Sequence, residues 1–72
     1  PRTVQGVEVS ILFSELPDGH FKVSMRSKGD FSVERIARAF GGGGHHNAAA
    51  CRVKGDISAV RRLVLAEIEA LR

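Results

Sequence analysis

The sequence predicts a small two-layer α+β domain, a β-hairpin plus one or more further strands in a mixed sheet covered by two helices. Three observations carry that class. Two apolar runs alternate with period two on either side of a Pro-Asp-Gly turn. Two later segments place apolar residues at helical spacing. Seventy-two residues make a single domain, and in one domain the apolar face of a one-sided sheet needs helices to cover it.

The elements follow in chain order. Val7, Val9, Ile11 and Phe13 alternate with Glu8, Ser10 and Ser14, a half-buried strand in which Leu12 is the one apolar exception. Leu16 to His20 reads as a turn, with Pro17 presetting φ and Gly19 taking the left-handed position. Phe21, Val23 and Met25 then alternate with Lys22, Ser24, Arg26 and Lys28. The two runs pair as an antiparallel hairpin, and Arg26 shares the polar face with Lys22, Ser24 and Lys28.

Asp30 or Ser32 is placed to cap a helix. Its stripe is Val33, Ile36, Ala37 and Phe40, with Arg35 and Arg38 off the stripe. Gly41 stands where a left-handed C-terminal cap is expected. Ala48 to Val53 reads as a short strand whose alanines suit close approach by another backbone or a ligand. Lys54-Gly55-Asp56 is a turn and cap. Val60, Leu63, Val64, Ile68 and Leu71 mark an amphipathic C-terminal helix.

Composition narrows the function classes. A domain this small is marginal unless helped, and its single cysteine excludes an internal disulfide. One thiol suits a reducing compartment, so a cytoplasmic location is expected. Eleven Lys and Arg against eight Asp and Glu give a net charge of +3, compatible with anionic ligands but short of a nucleic-acid stripe. No apolar run is long enough to span a bilayer, and no secretory signal opens the chain. The first residue is proline rather than methionine, which points to a piece of a longer polypeptide.

The most informative motif is Gly41-Gly42-Gly43-Gly44-His45-His46. Ordering glycine costs more backbone entropy than ordering any other residue, so an ordered run needs a reason. One reason is an anion cradle, in which N–H groups of Gly42, Gly43 and Gly44 converge on phosphate oxygens. His45, when protonated, adds a charge-assisted donor. Arg26 suits the same phosphate through its planar fork, although spacing alone does not bring it to the loop. The run is not a P-loop, which needs lysine and then serine or threonine after the last glycine. Nor is it a dinucleotide fingerprint, which must follow a strand and open a helix. His45 and His46 are adjacent and point to opposite sides of an extended chain, so joint metal chelation is not expected. Cys51 reads as a small buried apolar residue, and Asn47 as a backbone-bonding residue or a second ligand contact.

Val23-Ser24-Met25-Arg26-Ser27, the helix from Val33 to Phe40, and Gly41 to His45 followed by Asn47-Ala48-Ala49 together resemble the DHH-associated domain of the DHH phosphoesterase superfamily. The likeness runs from Val7 to Leu71 and is strongest to the oligoribonuclease and 3′-phosphoadenosine-5′-phosphate phosphatase group. It implies that residues 1–72 form one substrate-binding domain of a longer enzyme. The N-terminal DHH domain of that enzyme would carry manganese, with no cofactor on this chain. It also implies that Arg26, Gly42, Gly43, Gly44 and His45 hold phosphate and nucleotide, with Ser27, Lys28 and Asn47 as weaker carry-overs. The implied partners are short RNA, a nucleoside bisphosphate or a cyclic dinucleotide, the DHH domain of the same polypeptide, and a second copy if the protein is a homodimer. No catalytic residue is expected here, so the chain alone should be inactive. One departure stands out: where such relatives carry glycine two residues after Ala48, this chain has Ala50. The alternative reading is a non-catalytic nucleic-acid module like the tail domain of alanyl-tRNA synthetases.

Overall fold

The computed structural model describes residues 8–71; Val7, expected to open the first strand, lies outside them. The described elements are β1 (Glu8–Glu15), β2 (His20–Lys28), α1 (Val33–Ala39), β3 (Gly43–His45), β4 (Ala48–Lys54) and α2 (Ile57–Leu71). The strands form one sheet in the order β1-β2-β4-β3. The expected two-layer α+β class is the one observed. The sheet, however, is antiparallel at each of its three pairings rather than mixed. The reason is that the chain re-enters the sheet by a tight turn between β3 and β4, and short turns join antiparallel neighbours.

Alternation decides which face is buried. The odd-numbered residues Val23, Met25 and Ser27 of β2 and Cys51 and Val53 of β4 are buried. They pack against Val33, Ile36 and Ala37 of α1 and Val60 and Val64 of α2. Each fully buried aliphatic side chain contributes about 1.5–3 kcal/mol relative to exposure. The even-numbered residues face away from the helices and leave the other side of the sheet open.

The two ends of α1 are closed differently from one another. Ser32 is the N-cap by backbone conformation but makes no side-chain capping bond. Neither does Asp30, so the expected carboxylate or hydroxyl cap is replaced by a tertiary one: the Val33 N–H donates to the carbonyl of His46 at 2.9 Å. At the C-terminus Gly41 adopts φ +84°. Its N–H donates to Arg38 O and that of Gly42 to Ala37 O. These are the two bonds of a Schellman cap, which Gly41 was expected to provide.

α2 follows Asp56, whose Oδ1 accepts from the Ala59 N–H at 2.9 Å, as expected of a cap. The helix lies on the sheet through Val60, Val64, Ile68 and Leu71. Leu63, expected among them, is 47% exposed. It precedes Val64 by one residue and so lies about 100° around the helix from it.

Candidate functional site

The glycine run is not an open loop. Gly43–His45 is a three-residue edge strand paired with β4. Three of the four glycines answer to the fold. Gly41 supplies the left-handed cap. A Cβ on Gly42 would stand 2.3 Å from the Ala50 carbonyl oxygen and 2.7 Å from the Cys51 Cβ. A Cβ on Gly44 would stand 2.6 Å from both the Ala48 carbonyl oxygen and the Ala49 Cα. The alanines of β4 and the glycines of β3 therefore serve the same end, close approach of two backbones. Gly43 is different: nothing lies within 4 Å of the position its Cβ would take. It is the one glycine of the run required neither by packing nor by a positive φ.

This division changes the expected cradle. The Gly42 N–H is engaged by Ala37 O at 2.8 Å and is not available to an anion. Gly43 remains as the glycine that presents bare backbone on the open face.

The register brings Arg26 to the motif. Arg26 pairs with Ala48, and Ala48 pairs with His45. Residues directly opposite in antiparallel strands project from one face. Arg26, Ala48 and His45 therefore form a row across three strands, extended on β1 by Ser10. Neighbouring strands are 4.7–4.9 Å apart, so the backbones of Arg26 and His45 are about 10 Å apart, with one methyl group between them. The next row on the same face is Leu12, Ser24, Ala50 and Gly43. From β2 to β3, Arg26 and His45 thus stand over a shallow floor of small side chains, with Leu12 at its β1 edge. Ala50 adds a methyl to that floor directly opposite Gly43.

The surroundings are basic. Lys22, Lys28, Arg52 and Lys54 lie on the same face by alternation. Lys28 is 3.7 Å from Glu8 and Arg52 is 3.0 Å from Asp18. Among the described residues, Lys22, Arg26 and Lys54 make no ion pair. Of these, Lys22 lies in the row next to Ser24 and Ala50, while Lys54 stands opposite His20 at the far end of the face.

Ser27 and Asn47 occupy other positions than the open face. Ser27 is 8% exposed and is the buried polar residue of the core layer among the described residues. Its hydroxyl donates to Phe31 O at 2.7 Å and accepts from Asn47 Nδ2 at 2.9 Å. Asn47 Nδ2 also donates to Gly29 O at 3.2 Å. His46 turns away from His45, as adjacency predicts, and lines a shallow cavity of about 390 Å³ with Asp30, Glu34 and Arg35. Cys51 is buried under the helices, and burial pushes its thiol up. Among the described residues no group of three or more His, Cys, Asp or Glu side chains could hold a metal ion. No helix among them is long and apolar enough to cross a membrane.

Sequence spacing could not supply the role of Ala48 as the spacer under Arg26 and His45. The signal was present only in combination, as the even parity of both Arg26 and Ala48 once the strands are known to pair.

Residues 2–71 match the family model described as the DHHA1 domain. The chain belongs to that family. It is also 44% identical over 54 residues to the bifunctional oligoribonuclease and PAP phosphatase NrnA of Thermus thermophilus. The match covers 75% of this chain and 16% of that protein's length, so the chain corresponds to a small part of its relative.

Proposed function

We propose that this DHHA1 domain is the substrate-recognition part of a DHH-family phosphoesterase, holding the phosphate and nucleotide of short oligoribonucleotides, nucleoside bisphosphates or cyclic dinucleotides. The observation that carries the reading is the cross-strand row of Arg26, Ala48 and His45 on an open, basic sheet face. Arg26 offers a two-pronged donor to phosphate oxygens. His45 adds a second donor from the far side of Ala48, and Gly43 lets the ligand approach the backbone. The small floor admits a planar or sugar group that a larger residue at Ala48 would exclude.

We assign hydrolysis itself to a manganese-bearing DHH domain in the same polypeptide; what supports a hydrolytic parent is the relative's name as an oligoribonuclease and PAP phosphatase. Among the described residues no cluster of His, Cys, Asp or Glu side chains fits a metal ion. What this chain contributes is binding and orientation: it holds one phosphate so that a neighbouring phosphoester is presented to the partner domain.

The test is kinetic. In the full-length protein with manganese, Arg26→Ala and His45→Ala should each lower kcat/KM for a short oligoribonucleotide by about 10- to 150-fold, the range for losing one charge-assisted bond of 1.5–3 kcal/mol. Wild-type turnover by both variants would overturn the reading.

A further inference from the structure

We propose that Ser27 and Asn47 are positioning residues that set the distance between Arg26 and His45 without touching the substrate. The inference rests on the phosphate-site reading above. The turn His46-Asn47 joins β3 to β4, and β3 is only three residues long with two glycines. Such a strand has little side-chain packing of its own, and glycine backbones are the costliest to order. Something else must hold His45 in register.

The structure supplies four hydrogen bonds on that turn. The Ser27 N–H donates to Asn47 O at 3.0 Å. Asn47 Nδ2 donates to Ser27 Oγ and to Gly29 O. The Val33 N–H donates to His46 O. Ser27 follows Arg26 directly, and its hydroxyl is anchored in turn on Phe31 O. The two ends of the network therefore stand next to the two phosphate donors: Ser27 beside Arg26, and the His46-Asn47 turn beside His45. The Ser27 hydroxyl both donates and accepts within the protein, and both N–H groups of the Asn47 amide are used there. Ser27, buried on the helical face with its hydroxyl proton spent on Phe31 O, is held away from a ligand on the open face, and Asn47 Nδ2 is turned toward β2 rather than that face.

A double-mutant cycle in the full-length protein separates positioning from contact, with hydrolysis of adenosine 3′,5′-bisphosphate and of a diribonucleotide as probes. Asn47→Ala should raise KM about tenfold with kcat changed less than twofold. In a His45→Ala background the same substitution should change KM less than twofold, because its effect passes through His45. Ser27→Ala, which removes the shared acceptor, should show the same dependence and serves if Asn47→Ala fails to fold. An Asn47 effect of equal size in both backgrounds means direct substrate contact and overturns the proposal. An unchanged KM for both folded variants overturns it as well. If His45→Ala itself leaves KM unchanged, the phosphate-site reading fails instead.

Discussion

Replacing each of Gly42, Gly43 and Gly44 by alanine in turn should separate the part of the motif that builds the fold from the part that meets a ligand. Gly42→Ala drives a methyl to 2.3 Å from the Ala50 carbonyl oxygen, a backbone atom that cannot swing aside. Gly44→Ala meets the β4 backbone at 2.6 Å and also needs φ near +151°, where L residues are strained. Overpacking of this kind costs about 1–3 kcal/mol. A chain of this length is stable by roughly 4–11 kcal/mol, so the loss is a large share of the whole. At about 4–8 °C per kcal/mol for a small domain, Tm should fall by about 4–24 °C. Gly43→Ala meets nothing within 4 Å and removes unfolded-state freedom, so it should be neutral or stabilising by about 0.4–1 kcal/mol. The assay is thermal melting followed by circular dichroism, paired with KM for a short oligoribonucleotide in the full-length protein. Gly43→Ala should keep or raise Tm while raising KM. A Gly43→Ala variant that melts as early as Gly42→Ala, or a Gly42→Ala variant that melts like wild type, would refute the division of labour.

Three further outcomes follow from the packing and charge arrangement. Val64→Ala should destabilise by about 1.5–3 kcal/mol, from two lost methyl groups and the cavity left behind, while Leu63→Ala one residue earlier should stay within about 0.5 kcal/mol; urea titration distinguishes them. Cys51, buried and with its thiol pushed up, should be alkylated by iodoacetamide far more slowly in the native protein than in urea. The Asp18 carboxyl is raised by desolvation, but the His20 N–H, the His20 imidazole and Arg52 outweigh this and hold it below its ordinary value of 3.8. A lowered folded value adds stability above the unfolded value that is lost as pH falls through the folded one. Asp18→Asn should therefore lower Tm at neutral pH and converge with wild type in acid, as read by melting curves across that range.

Much of the fold is legible in local pattern. The hairpin shows in the alternation around Pro17-Asp18-Gly19, and α1 in the stripe that ends at Gly41. Asp56 announces α2 because a cap acts within one turn of its own residue. What was not legible depends on partners distant in sequence. β3 has no signature because glycines carry no side-chain alternation; it is a strand only because β4 offers alanines for it to approach. The missing side-chain cap on α1 has the same origin, since the His46 carbonyl does that work from another turn. Leu63 fits the helical stripe as well as Val64 does, and only the side of that stripe which meets the core separates them.

The candidate site divides in the same way. Arg26, Gly43 and His45 were individually conspicuous as residue types suited to phosphate. Their meeting is a property of strand order and register, which bring them together across Ala48. Ser27 and Asn47 were drawn to the site by resemblance to the family, and the hydrogen bonds they make within the protein give them a supporting place beneath it.

The central claim is that one phosphate is held between Arg26 and His45 across Ala48. NMR titration of the protein with adenosine 3′,5′-bisphosphate tests it most directly. The account predicts saturable shifts of the Gly43, His45 and Ala48 amides and of the Arg26 Nε–H, abolished together by Ala48→Leu, which fills the floor without removing either donor. Shifts confined to the helical face, or binding that survives Ala48→Leu unchanged, would contradict it.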